Sequence, residues 1–267
     1  MRNIPDVKIG IVAVSRDCFP ITLSERRRAA VVGAYRRAGG EIVEIRTTVE
    51  NETDGEQALL ELRESGCNAL VLFLGNFGPE GPETQVIQKF GGPAMVVAAA
   101  EESQDSLIDG RGDAYCGMLN ASYSLSLRHL RPYIPEYPVG TAEEIAAMIA
   151  EFVPIARVQL GLRKLKIFTF GPRPYDFLAC NAPIKALFDL GVEVQENSEL
   201  DLYPAYHAHK DDPRFPGVIA SMEQELAEGN RMPGILPRLA QYEITLLDWA
   251  EQNKGASEYF CFANKCW

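Results

Sequence analysis

The sequence predicts an α/β protein made of two doubly wound parallel sheets, the second of them incomplete. Ala69–Leu74 is an unbroken apolar run that ends abruptly at Gly75. Val7–Ala13 is a second strand of the same kind, and both are typical of strands buried on two faces in a parallel sheet. Up to residue 100 such strands alternate with helical segments, which indicates right-handed βαβ units.

The first part of the chain contains the elements of one sheet in order. Thr22–Glu25 has the pattern of a capping box and predicts a helix start, and Gly39 predicts its end. Thr141–Glu144 repeats the capping pattern, and Pro154 is expected to kink or break the helix that follows. The predicted strands are 7–13, 41–46, 69–74 and 94–100; the predicted helices are 22–38, 54–66 (capped by Asp54), 82–90, 121–130 and one starting at 141; residues 101–117 and 131–139 are predicted to be irregular.

The second part repeats this design from a boundary near residue 164. In both parts a strand is followed by a loop with an Arg and an Asp, then a helix, a glycine and a second strand. We therefore predict two flavodoxin-like domains, residues 1–163 and 164–267. The second has only three predicted strands, so we expect its remaining strands to come from elsewhere. These strands are 165–170, 192–195 and 257–262, with helices at 181–190, 216–228 and 237–253.

Composition excludes several classes of partner. The formal net charge of −11 argues against nucleic acid and against anionic membrane surfaces, which both attract basic proteins. No apolar run is predicted to span a membrane, and the N-terminus lacks a long apolar signal segment, so we expect a cytoplasmic protein. The cysteines are scattered without a CxxC pair, which favours reduced thiols.

Polar side chains follow the first and third predicted strands of each domain. In open parallel sheets, ligands bind beyond the carboxyl ends of the strands, where strand order reverses. We therefore expect Arg16 to lie near Asn76–Glu80, and the loop 173–176 to lie near 264–267, each around a small polar ligand. A tight turn with a solvated Glu80 is the alternative for the first loop. The candidate binding residues are Arg16, Asn76, Phe77, Glu80, Arg173, Asp176, Asn264, Lys265 and Trp267.

Other interpretations of the second group stay open. Arg173 and Asp176 fit a sugar contact or an ion pair that fixes their loop, Lys265 fits a pocket residue or a surface charge, and Trp267 fits a stacking platform or a cover for the core. His207 and His209 precede two aspartates at a spacing seen in metal sites, but the polar surroundings favour a solvated loop.

Four segments resemble the L-fucose isomerase and related sugar isomerase family: KIGIVAVSRDCFP, LFLGNFGPEGPE, FGPRPYDFLACN and YFCFANKCW. Their order and spacing carry the resemblance, which extends over essentially the whole chain. It implies two N-terminal α/β domains followed by a third domain, and interconversion of aldoses and ketoses with a divalent cation, typically Mn²⁺. It also implies a homo-oligomer with shared sites, in which Arg16 and the region of Asn76 and Phe77 approach the sugar of a neighbouring subunit.

The resemblance places the metal ligands of the family, a Glu, an Asp and a His, downstream of Trp267. We therefore expect no Mn²⁺ to be fully ligated by residues 1–267, and negligible isomerase activity from these residues alone. Moving a carbonyl between C1 and C2 requires a proton shuttle and a cation that stabilises the ene-diolate. Two alternatives remain: a non-catalytic carbohydrate-binding or sensing module, and a subunit that serves only in assembly.

Overall fold

The computed structural model describes residues 3–102, 111–171, 173, 175–180 and 183–264. The chain forms two compact units. One comprises residues 5–160, and the other comprises residues 161–267 together with residues 1–4.

The unit 5–160 contains a five-stranded parallel sheet of strand order β2-β1-β3-β4-β5. Every residue of β1, β3 and β4 is buried, which confirms the interpretation of their continuous apolar runs. This order is that of the flavodoxin-like fold, whose switch point lies between β1 and β3. The strands are β1 (Ile9–Val14), β2 (Val43–Glu44), β3 (Ala69–Leu74), β4 (Ala94–Ala99) and β5 (Val139–Gly140).

Helices connect these strands and bury their apolar faces against the sheet. Helix α2 packs against α3, and α3 packs against α4. The helices are α1 (Ile21–Arg37), α2 (Glu52–Glu64), α3 (Glu80–Phe90), α4 (Ala114–Leu127) and α5 (Ala142–Leu162).

Three helix starts test the capping predictions. Thr141 and Glu144 form the predicted capping box at α5, since each side chain accepts from the other's backbone N–H. Helix α1 begins at Ile21 after Pro20 without a side-chain cap, so the capping box predicted from Thr22 is wrong. At α2 the side chain of Asn51, not Asp54, is the N-cap. Local sequence patterns therefore located these helices more reliably than they identified the capping residue.

Other boundaries differ because tertiary packing overrides local composition. Strand β5 lies in the predicted connector, and α4 begins at Ala114, inside a predicted loop. Helix α5 continues through Pro154 to Leu162, so Pro154 does not break it. The buried face of α5, which includes Phe152, packs into the core of the sheet and supports the helix on both sides of the proline.

Helix α5 is also long and apolar enough to cross a membrane, by length and composition alone. The core helix of a soluble protein meets the same criterion. Here Ile145, Ile149 and Phe152 are fully buried, whereas Glu151 is exposed. Helix α5 thus has one face in the core of the sheet and an exposed face that carries both Glu151 and the largely exposed Val158.

The other unit contains a three-stranded parallel sheet of order β7-β6-β8. Its core consists mainly of Phe168, Phe170 and Phe260, which pack against α7 and α9. The strands are β6 (Leu165–Phe170), β7 (Glu193–Asn197) and β8 (Tyr259–Asn264), and the helices are α6 (Ile184–Asp189), α7 (Glu199–Ala208), α8 (Phe215–Leu226) and α9 (Leu236–Asn253).

Helix α7 replaces the solvated loop that the sequence predicted around His207. Ser198 and Asp201 form a capping box at its start, a pattern that sequence analysis overlooked. His207 lies in the last turn of the helix and His209 is its C-cap. The two histidines therefore belong to a helix end, and the prediction of a loop there is wrong.

Glycine at position 75 allows α1 to approach the end of β3 closely. A Cβ atom on Gly75 would lie 2.6 Å from the Cα of Ser24, and the buried Ser24 hydroxyl donates to Val14 O at 2.7 Å. Backbone atoms lie on both sides of this contact. An added methyl group could therefore be accommodated only by a backbone shift, which costs stability.

We expect Gly75→Ala to lower the free energy of unfolding by about 1–3 kcal/mol, because the added methyl overpacks the contact between β3 and α1. Urea unfolding followed by circular dichroism measures the change. Gly81→Ala is the matched control, since Gly81 lies in α3 and a methyl group added there would have no neighbouring atom within 4 Å. Alanine in a helix is favoured over glycine by about 1 kcal/mol, so the control should be neutral or stabilising. Equal effects at both positions would contradict the packing argument.

Candidate functional site

The pairing of β1 with β3 places two loops side by side at the carboxyl edge of the sheet. Val14 is the register partner of Leu74, so the residues that follow each strand are neighbours. Asn76 joins the loops: its carbonyl accepts from Arg16 N at 3.1 Å, and its amide donates to Ser15 Oγ at 2.9 Å and to Pro20 O at 3.3 Å. Asn76 is fully buried, so its amide fixes the loops and offers no surface to a ligand.

Arg16 lies across the second loop, as the sheet topology predicts. Its Nε and Nη2 donate to Gly78 O at 3.2 and 2.9 Å, and Nη2 also contacts Glu80 Oε1 at 3.2 Å. In the described part of the chain no hydrogen-bond partner contacts its Nη1. With 34% of its side chain exposed, Arg16 can direct the Nη1 donors to a ligand.

Aromatic rings pack against the guanidinium of Arg16. Its central carbon lies 4.5 Å from the centre of the Phe77 ring, which stacks on Phe19 at 6.3 Å with an interplanar angle of 3°. Phe77 N donates to Gly112 O at 2.6 Å, which ties this loop to the segment before α4. A cation over an aromatic face is attracted by the ring quadrupole, so Phe77 helps to hold Arg16 in place.

A polar cleft opens beside Arg16. Its volume is about 540 Å³, within the range of small-ligand sites. Glu80 lies on its wall, half-buried, and accepts from Asn120 Nδ2 at 3.2 Å as well as from Arg16. The remaining wall consists of Asp17, Glu50, Asn51, Pro79, Gly81 and Pro82. The cleft therefore offers a positive donor and several carboxylates, a combination suited to hydroxyl groups.

Glu83 lies beneath this cleft in the first turn of α3. It is fully buried, and neither of its carboxylate oxygens has a hydrogen-bond partner among the described residues. Burial and the nearby Glu80 carboxylate raise the pKa of Glu83 to about 8, with the Arg16 guanidinium acting in the opposite direction. An uncharged carboxyl is thus the stable form of Glu83 at neutral pH.

The sequence contained a signal for Glu83 that the predictions missed. Glu83, Val86, Ile87 and Phe90 follow helical spacing, and the three apolar residues face the core. A lone carboxylate on the apolar face of a helix indicates a buried titratable group. The requirement for Gly78 was visible only in three dimensions, because a Cβ there would overlap Glu83 Oε2 and approach Val14 Cγ2 to 2.7 Å.

The candidate residues of the other unit line two different cavities. Arg173 lies on one of about 750 Å³ with Ala263, and donates to Tyr175 O at 2.7 Å. Asn264 lies on one of about 340 Å³ with Glu199 and three tyrosines. Asp176 is exposed, and its carbonyl accepts from Leu178 N. Lys265 and Trp267 lie outside the described residues.

The described residues contain no group of three or more His, Cys, Asp or Glu that could hold a metal ion. His209 uses its ring nitrogens otherwise: Nδ1 lies 2.7 Å from Ala205 O and Nε2 lies 2.8 Å from Asp248 Oδ2. Arg214 binds the same aspartate at 2.7 Å and Asp212 at 2.8 Å. This network joins the end of α7 to α9 and to the segment that precedes α8. It accounts for His209 and Asp212, two of the donors that resembled a metal site in the sequence.

We expect Glu83→Gln to remove a pH dependence of stability. The folded-state pKa of about 8 exceeds the ordinary value of 4.5, so the folded protein binds the extra proton in this window. The free energy of unfolding of the native protein should then fall as pH rises from 4.5 to about 8, by up to about 1.4 kcal/mol per pH unit, and level off above.

The measurement is the difference in unfolding free energy between Glu83→Gln and the native protein from pH 5 to pH 9. This difference should grow up to about pH 8 and then stay constant. Glu56→Gln is the matched control: Glu56 is exposed, and hydrogen bonding to Lys89 lowers its pKa. Its difference should be flat in this range, and a flat difference for Glu83→Gln would refute the buried, uncharged carboxyl.

A family model described as "Fucose/sulfoquinovose isomerase, N-terminal domain" matches residues 10–163, more than half of the chain. A search of curated proteins finds no match. A crystal structure of a conserved domain protein from Vibrio cholerae O1 biovar eltor strain N16961 aligns over 97% of this chain and 90% of its own at 12% identity, but its TM-score of 0.27 supports no inference. The family match confirms the resemblance predicted from the sequence: the chain belongs to the fucose/sulfoquinovose isomerase family and carries its N-terminal domain.

Proposed function

We propose that this protein takes part in aldose–ketose isomerisation and that Arg16 and Glu80 bind hydroxyl groups of the sugar. Membership of a sugar isomerase family supports the reaction class. The observation that carries the assignment of the site is the Arg16 guanidinium, which is fixed by Gly78 and Glu80 on one side and faces a cleft of about 540 Å³ on the other.

The chemistry of this cleft suits a polyhydroxylated ligand. Arg16 Nη1 supplies donors, and the Glu80 carboxylate supplies an acceptor. Their separation is fixed by their own ion pair, so a sugar that binds both is held in one orientation. Phe77 acts through Arg16 in this proposal, and Asn76 acts through the loops that it joins.

Mn²⁺ remains part of the proposal through the resemblance to the family. The donor groups among the described residues do not fit a metal site, because carboxylates and histidines do not converge in sufficient number. We therefore assign no step of the proton transfer to a residue of this chain. Its described residues bind and orient the sugar.

The other unit is proposed to contribute further contacts to the sugar. Asn264 lies beside Glu199 and tyrosines in one cavity, and Arg173 lines another. Asp176 is exposed three residues after Arg173 and is retained as a proposed contact from the sequence. We retain Lys265 and Trp267 as proposed contacts from the sequence. A homo-oligomer with shared sites and a cytoplasmic location are proposals of the same origin.

A non-catalytic carbohydrate-binding or sensing module is the second candidate. The favouring observation is that the cleft at Arg16 can bind hydroxyl groups with side chains of this chain alone. The two candidates differ in their response to metal: a sensing module binds sugar equally well after chelation, whereas the complete isomerase binds or turns over sugar in a Mn²⁺-dependent way.

We expect Arg16→Gln to weaken sugar binding about tenfold or more, because a charged hydrogen bond contributes about 1.5–3 kcal/mol. Titration calorimetry with L-fucose and sulfoquinovose, each with Mn²⁺ and with EDTA, measures the affinity. Arg37→Gln is the matched control, since Arg37 forms an exposed ion pair with Glu143 at the other end of α1. Unchanged affinity in Arg16→Gln would refute the site, and affinity that is lost with EDTA would contradict the sensing module.

A further inference from the structure

Glu83 is the strongest unexplained group in the described part of the chain. A carboxyl with no exposed surface and no hydrogen-bond partner costs stability, and such groups occur where function requires them. Structural packing alone would be served by leucine or methionine at this position on the apolar face of α3. The location of Glu83 directly beneath the loop that binds Arg16 therefore needs a reason.

The geometry links the Glu83 carboxyl to Arg16 through a single residue. Glu83 Oε2 occupies the space where Gly78 would carry a side chain, with the methyl of Val14 on the other side. The carbonyl of the same Gly78 accepts hydrogen bonds from both Nε and Nη2 of Arg16. Gly117 of α4 packs against the loop of Phe77 and Gly78, since a Cβ on Gly117 would lie 3.0 Å from Phe77 Cα and 3.2 Å from Gly78 N. A displacement of Gly78 would thus move the acceptor that holds Arg16.

We propose that Glu83 is a positioning residue: its uncharged carboxyl holds Gly78 in place, and its ionisation displaces Gly78 and releases Arg16, so that sugar binding is linked to a proton. An ionised carboxylate in this buried space has no donor to bind among the described residues, so it draws in water or moves toward solvent. Either movement disturbs its contact with Gly78. This inference rests on the proposed function only for the identity of the ligand.

Burial is the main reason that the pKa of Glu83 is raised, and the charged groups around it adjust the pH at which it ionises. Glu80 on the same helix raises the pKa of Glu83 and Arg16 lowers it. On α2, which packs against α3, Glu56 is neutralised by Lys89 and Glu52 borders Pro82. Helix α4 carries no Asp, Glu, Lys or Arg between Ala114 and Leu127, and its N-cap Asp113 pairs with Arg111.

The first test needs no sugar and no variant. NMR on the native protein follows the Glu83 carboxyl carbon and the Arg16 Nε–H signal from pH 6 to pH 10. We expect both signals to change with one midpoint near pH 8. An Arg16 signal that stays constant while Glu83 ionises overturns the inference, because the two groups would then be uncoupled.

The second test uses binding of L-fucose between pH 6.5 and pH 9.5. The affinity of the native protein should fall above about pH 8, by up to tenfold per pH unit, as expected for one linked proton. Glu83→Gln keeps the shape of the side chain but cannot ionise, so its affinity should not change with pH. The same pH dependence in both proteins overturns the inference.

Glu80→Gln distinguishes a titration of Glu83 from that of another group. Removing the Glu80 charge should move the midpoint of the Arg16 signal to lower pH, and an unmoved midpoint contradicts the electrostatic link.

The two proposals also fail differently. Coupled NMR midpoints without sugar binding refute the proposed function alone, whereas sugar binding with uncoupled midpoints refutes the role of Glu83 alone.

Discussion

The parallel pairing of β1 with β3 is the constraint on which the site depends. Both strands are fully buried, and their register brings Val14 opposite Leu74. The first residues beyond the strands are therefore neighbours although they lie about sixty positions apart in the chain. The Asn76 amide, in the loop after β3, then bonds to Ser15 and Arg16 in the loop after β1, so the two loops at the switch point are joined.

Much of this arrangement could be predicted because its signals are local. The apolar run at Ala69–Leu74 defined the bounds of β3, and the order of strands and helices indicated that Arg16 would meet Asn76–Glu80. Two of the four segments on which the resemblance to sugar isomerases rested contain these loops, and the family match over residues 10–163 bears the resemblance out. Periodicity and topology thus place side chains at one edge of a sheet without any knowledge of distances.

The rest could not be predicted because it depends on contacts between distant elements. Strand β5 has two residues and is a strand only through its pairing with β4. The sequence predicted both Asn76 and Arg16 as ligand contacts without distinguishing them. In the structure Asn76 is fully buried, whereas Arg16 is partly exposed beside the cleft. The role of Gly78 could not be predicted from the sequence, because it depends on the contact with Glu83, which lies in the first turn of α3.

The packing of Arg16 on Phe77 has a consequence for recognition. An arginine side chain on a free surface samples many rotamers, and immobilising it on a ligand costs about 0.5–1.5 kcal/mol. Here the ring and the Gly78 carbonyl restrict those rotamers already in the folded protein. The loss of freedom accompanies folding, so the proposed ligand would meet a guanidinium whose direction is already restricted.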